Sequence, residues 1–231
     1  MPRTMERLAV VLTLMTLASL GASGARASSG DDGWYLSAGY GTAPRLFLRS
    51  DLNDALVEEF GSNSPLTLGN TSVSRHGSTY AVGVGYWFAE NLAIEAAYLH
   101  MGKVQYNAAG STRTSGTTRA TNLTMHAKSR GGTVALVWTA PLWNAWGAEL
   151  RAGAYLSRTD TLYVSTVGEA VSSDSLRKKS TAPLLGVGGT YTASPHLVFK
   201  LQYAHFFGIK EEALHDEYAA DVVTLGLTYA F

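Results

Sequence analysis

Large apolar residues alternate with small or polar ones along this chain, in segments of about ten residues and with a period of two. The pattern is clearest from Tyr218 to Phe231, where Val223, Leu225, Leu227, Tyr229 and Phe231 share one face and Thr224, Gly226, Thr228 and Ala230 the other. Successive side chains of a β-strand point to opposite faces, so this spacing predicts strands with one bulky apolar face and one small polar face. A strand in a soluble sandwich would bury its apolar face in a core and would rarely stop on the aromatic residue itself. Bulky apolar groups outside and small polar groups inside suit a strand with lipid on one side and a tight lumen on the other.

Eight such strands are predicted, joined by connections whose lengths alternate. Strand one is Gly33 to Tyr40, followed by a long connection from Gly41 to His76. Strand two, Gly77 to Phe88, directs Tyr80, Val82, Val84, Tyr86 and Phe88 outward and turns sharply at Ala89-Glu90-Asn91. Strand three runs from Leu92 to about Lys103, and a polar connection reaches about Asn122 before strand four, which ends through Val134, Leu136 and Trp138. A compact turn, Pro141 to Ala145, leads into strand five, Trp146 to Arg158. A second long polar connection, Thr159 to Ala182, precedes strand six, Pro183 to Thr192. After the tight turn Ala193 to His196 come strand seven, Leu197 to Phe207, and the final strand. The expected fold is an all-β, eight-stranded antiparallel transmembrane β-barrel with short periplasmic turns and long extracellular loops. Tyr98, Tyr106, Tyr155 and Tyr203 lie toward the outer rim, and by parity Trp87 and Tyr155 point inward.

The first residues change the picture by setting a compartment. Residues 1–27 read as a secretory signal peptide: Arg3 and Arg7, an apolar run from Leu8 to Leu20, and small residues Ala25 and Ala27 before a cleavage point at Ser28. The run of 13 residues is too short to cross a bilayer as a helix. Residues 28–231 then form one barrel domain located in the cell outer membrane. Its 15 basic and 17 acidic residues give a net charge of about −2. That balance gives no ground for nucleic-acid binding. The absence of cysteine excludes a lipoprotein acylation site and a disulfide framework. With 24 Gly, 12 Tyr and a mean hydropathy of +0.02, the composition suits a barrel and not a helical bundle.

Trp34 to Gly41, with Val84 to Gly102 (VGYWFAENLAIEAAYLHMG), resembles the first three strands of the OmpA-like transmembrane barrel family. Leu197 to Tyr203 and the ending LGLTYAF resemble that family's closing hairpin. The resemblance spans essentially the whole mature chain and weakens in the loops. It implies an inward Glu at Glu95 and an inward basic residue at Lys200. Longer members of the family carry a peptidoglycan-binding domain after the barrel, and no cell-wall anchoring is inferred for this chain.

Alternation places Glu95 on strand three, Glu149 and Arg151 on strand five, and Lys200 with Gln202 on strand seven toward the lumen, all close above the periplasmic turns. An eight-stranded lumen is about filled by side chains, so charges at one height must pair. Glu95 is expected to reach Lys200 across the lumen and to form a plug. A gated path for small solutes or ions through the same charges is the alternative. A lipid-modifying enzyme ranks below both, because His205 is followed two residues later by Phe207 where a deacylase-like site would place a Ser. None of the six histidines has metal-ligand spacing, and no Gly-x-Ser-x-Gly elbow is present. No catalytic residue, cofactor or metal is expected.

The first loop, Ser50 to Phe60, has the spacing of a short amphipathic helix. The second and third loops are basic, and Arg113, Arg119, Arg177, Lys178 and Lys179 are candidate contacts for lipopolysaccharide phosphates. Outer-membrane lipids are the expected surroundings. Leu225, Leu227, Tyr229 and Phe231 form the candidate assembly signal for the barrel assembly machinery. The functional expectation is a structural or surface-interaction protein of the cell envelope, without catalytic machinery.

Overall fold

The computed structural model describes residues 33–43, 66–76, 78–114, 117–167, 170–210 and 217–231. The expected signal peptide and the amphipathic segment Ser50 to Phe60 lie outside the described residues. Among the described residues nine strands follow in order: β1 (Gly33–Thr42), β2 (Leu66–His76), β3 (Thr79–Ala89), β4 (Leu92–Thr114), β5 (Thr117–Trp143), β6 (Trp146–Val167), β7 (Ala170–Ser194), β8 (Leu197–Lys210) and β9 (Glu217–Ala230). All pairings are antiparallel between neighbours, and β1 pairs with both β3 and β9, so the sheet closes on itself. β3 pairs with the lower half of β4 (Tyr80↔His100 to Ala89↔Leu92), and β2 pairs with its upper half (His76↔Lys103 to Leu66↔Thr112). β2 therefore continues the line of β3 upward, and eight strands make the ring.

Closure removes every sheet edge from the hydrocarbon, the condition for strands to cross a bilayer. Outward positions carry the exposed large side chains, among them Trp34, Leu36, Val82, Ile94, Leu136, Leu156, Val187, Leu201 and Leu227. Along β6 this face runs from Trp146 to Leu156, about the 9 to 11 residues a tilted membrane strand needs. Two-residue turns at Glu90–Asn91, Asn144–Ala145 and Pro195–His196 close the expected periplasmic end. Asn144 takes a left-handed φ of 49°, which Asn tolerates better than most residues.

The two long polar connections expected between strands three and four and between strands five and six are not loops. β4 and β5 stay paired from Leu92↔Trp138 to Thr114↔Thr117, and β6 and β7 from Trp146↔Tyr191 to Val167↔Ala170. β5 also pairs with β6 up to Thr121↔Val167. Hydrogen bonding across these hairpins satisfies the backbone without an apolar outer face, so a Ser/Thr-rich segment stays extended in water. β5, 27 residues long, spans about 90 Å at roughly 3.3 Å per residue. β2, β4, β5, β6 and β7 thus form a tall wall above the membrane on one side of the barrel, while β1, β8 and β9 stop near the rim.

A bulge sets the facing of that wall. Between His100 and Lys103 two residues of β4 oppose the single Ser129 of β5, with Gly102 at φ 83°. The extra residue reverses the parity of β4. Val104, Tyr106 and Ala108 consequently face inward and are buried beside Ala127, Met125 and Leu123 of β5. Tyr106, expected toward the outer rim, is therefore a buried interior residue, because the bulge turns its side chain inward.

Candidate functional site: a buried charge layer in the lumen

The lumen is stacked in three layers. Nearest the short turns, Tyr35, Ala93, Val137 and Ala230 form a small apolar cluster with Trp87 packed against it. Toward the outer rim a larger one includes Leu99, Met101, Tyr155, Leu184, Phe206, Ile209 and Val222. Tyr155 is fully buried, sets its ring edge-on to Phe206 with centroids 5.1 Å apart, and lies 3.2 Å from the Ser129 hydroxyl. The charged residues sit between these two greasy layers.

β4 supplies Glu95, β6 supplies Glu149 and Arg151, and β8 supplies Lys200 and Gln202. Arg151 lies at the centre, with Nη1 2.9 Å from Glu95 Oε1 and Nη2 3.3 Å from Glu149 Oε1. Lys200 Nζ lies 2.8 Å from Glu149 Oε2, and Gln202 Nε2 donates to Glu149 Oε1 at 2.6 Å. Glu149 is 2% exposed, Lys200 5% and Arg151 15%. The cluster is formally neutral, two carboxylates against two cations, and an unpaired charge at this depth would be costly. The void left between the charged and outer apolar layers is about 50 Å³, room for a few waters.

The pairing differs from the expected Glu95 to Lys200 contact. Glu95 binds Arg151, and Lys200 binds Glu149, because β6 stands between β4 and β8 and offers both signs two residues apart. One further participant was not anticipated: the Tyr35 ring lies beneath Lys200, 5.6 Å from centroid to Nζ. Room for that ring comes from Gly85, its direct partner on β3, where an added Cβ would fall 2.0 Å from Tyr35 Cζ. The signal was present in the sequence as an inward Gly opposite an inward Tyr.

The other candidate residues are dispersed. Leu225, Leu227, Tyr229 and Phe231 all point outward and are exposed, with the Tyr229 and Phe231 rings edge to face at 5.5 Å. Of the candidate phosphate contacts, Arg119 is exposed on upper β5, Arg177 and Lys179 point outward from β7, and Lys178 faces the opposite way. The side chain of Arg113 lies outside the described residues. Near the rim His205 Nδ1 approaches Asp221 Oδ1 at 2.5 Å, and the Tyr203 hydroxyl donates to the same oxygen at 2.8 Å. Phe207 stacks edge-on against His205, so the neighbouring side chain two residues on is a ring and not a nucleophile.

A family model, the OmpA-like transmembrane domain, matches residues 29–231. The chain belongs to the OmpA-like transmembrane domain family. Among solved structures, the OmpA-like barrel described here is similar to OprG from Pseudomonas aeruginosa, with 13% identity, a TM-score of 0.50, and coverage of 90% of this chain and 99% of that one. Neisserial surface protein A gives 12% identity, a TM-score of 0.45 and coverage of 87% and 99%. Ail, the attachment invasion locus protein of Yersinia pestis, gives 13%, 0.43, and 87% and 99% in a complex with the heparin analogue sucrose octasulfate. No curated protein matches the chain in sequence. Membership in this family and the closed eight-stranded ring point to the Gram-negative outer membrane.

Proposed function

We propose that this OmpA-like barrel is a non-catalytic envelope protein whose lumen is sealed and whose outer wall is its interaction surface. The observation that supports the sealed lumen is the internal pairing of the charged layer, in which Glu149 meets Lys200, Arg151 and Gln202 while Arg151 also meets Glu95. A layer neutralised internally offers no free charge to coordinate a passing ion, and apolar layers lie on both sides of it. The family relationship fits an envelope role. The His205–Asp221 pair takes the Tyr203 hydroxyl as a donor to Asp221 and packs against the Phe207 ring, an arrangement that favours a structural part for it.

Planar-bilayer recording of the purified full chain tests the reading. Baseline current with no discrete steps is expected for the wild type, with small openings only when the layer is broken by Glu149→Gln. Reproducible wild-type conductance whose ion selectivity changes in Glu95→Gln or Lys200→Met would replace the plug with a channel.

A further inference from the structure

The outer surface of the wall carries a second arrangement that neither the fold nor the lumen explains. The cross-strand register of β4 to β7 places His100, Arg130, Arg158 and Lys179 directly opposite one another in one row. The next row upward is Lys103, Lys128, Asp160 and Arg177. All eight positions lie on the outward face. Counted without the histidine, they hold six cations and one carboxylate. Like charges directly opposite on a sheet destabilise it, and here Arg130 faces Arg158, Arg158 faces Lys179 and Lys103 faces Lys128.

Asp160 offsets only part of this repulsion. Its carboxylate accepts from Arg130 Nη2 at 3.1 Å, Arg158 Nε at 3.1 Å and Arg177 Nε at 2.8 Å. Three guanidinium groups are thereby gathered around one acceptor, each with further N–H groups directed away from it. Arg177 is 64% exposed and Arg130 48%, so those donors are open to solvent. Between them the surface dips into a groove of about 650 Å³, with Lys103, Lys128, His126 and Leu162 in its lining. Burial works to raise the Asp160 carboxyl, but the hydrogen bonds from Arg177 and Arg158 prevail and hold it below the usual aspartate value.

Position decides what the groove would hold. The row immediately below the cations is Tyr98, Gly132, Leu156 and Thr181, and below that Ala96, Val134, Ala154 and Pro183. The outward face passes from Leu156 to Arg158 in one step on β6 and from Val134 past Gly132 to Arg130 on β5, while on β4 Tyr98 gives way to His100 and then Lys103. An anion docking there would have its apolar part beside Val134 and Leu156 and its charge beside Arg130, Arg158 and Arg177. Arginine forks match phosphate oxygens in two-point contacts. We infer that these two rows form a binding site for the phosphates of outer-leaflet lipopolysaccharide, seated on the barrel's flank at the lipid boundary. The site is distinct from the expected one on the outer loops, since only Arg177 and Lys179 are shared and Arg113, Arg119 and Lys178 take no part. It does not depend on whether the lumen conducts.

Binding of purified lipid A to the full chain in detergent, read by native mass spectrometry, tests the site. Bisphosphorylated lipid A is expected to bind at least about tenfold more tightly than the same lipid with both phosphates removed. The variant Arg130→Gln/Arg158→Gln/Arg177→Gln should lose that preference, and Arg119→Gln should stay within about twofold of wild type. Heat-modifiable migration reports that each variant is folded. If the triple variant fails to fold, Lys103→Gln/Lys128→Gln reads the second row instead, with a loss of about fivefold expected. Equal binding of the dephosphorylated lipid, or full affinity in the folded row variants, would overturn the assignment. So would a soluble heparin fragment that outcompetes lipid A at the same residues, because the occupant would then be a polyanion from outside the membrane.

Discussion

Glu149→Gln removes one charge from a layer in which every charge is matched, and the structure gives the size of the effect. Lys200 loses its carboxylate at 2.8 Å, and Arg151 keeps Glu95 at 2.9 Å but loses its second partner at 3.3 Å. One net positive charge is left between two apolar layers. Removing one partner of such a buried pair costs about 3–5 kcal/mol, and the 2% exposure of Glu149 leaves little solvent to soften it. Lys200→Met should cost less, about 1–3 kcal/mol, because Glu149 still holds Arg151 and Gln202. The double variant Glu149→Gln/Lys200→Met removes both charges of the pair and should return to within about 1 kcal/mol of wild type. Urea unfolding in lipid vesicles, followed by tryptophan emission, yields all four corners of this cycle. If Glu149→Gln costs less than about 1 kcal/mol, or the double variant loses the sum of the two, the charges are not coupled as described.

Three further outcomes are expected. Gly85→Ala should impair assembly, since its Cβ would overlap the buried Tyr35 ring, and Tyr35→Leu in the same chain should restore folding as scored by heat-modifiable migration. The Asp160 carboxyl is held below its unfolded value, so the stability it adds is present above about pH 4 and is lost as pH falls through its lowered folded value. Wild type and Asp160→Asn should therefore differ in unfolding midpoint at pH 7 and converge in acid. Phe231→Ser should lower the fraction of chain assembled in cells while leaving the refolded barrel's stability within about 1 kcal/mol, because this outward ring is largely exposed and is proposed to be read by the assembly machinery.

The membrane part of the fold was legible because lipid and lumen impose opposite chemistry on alternate residues. Trp146 to Leu156 shows it plainly, with Ala148, Leu150, Ala152 and Ala154 outward and Glu149, Arg151 and Gly153 inward. The extension of the strands was missed for a physical reason. Above the bilayer the outward face meets water, so Thr159 to Ala182 lacks the apolar alternation by which strands were recognised. Part of the signal was nevertheless present in Leu123, Met125 and Ala127, which alternate with Thr124, His126 and Lys128. Inward charges were readable from parity, but their pairing depends on which strand lies between which, and that follows from closure. The paired cationic rows could not appear until both hairpins were known to be strands in register, since their members are spread from His100 to Lys179.

Accessibility of spin labels tests the central claim, a closed barrel with lipid outside and a packed interior. Single cysteines replacing Leu136, Val187 and Leu225 should give labels quenched by oxygen dissolved in the bilayer and insensitive to a water-soluble nickel complex. Cysteines at the neighbouring inward positions Ala135, Gly186 and Thr224 should give labels reached by neither. Equal access of the nickel complex to both sets would mean that water lies on both faces, and the barrel described here would be wrong.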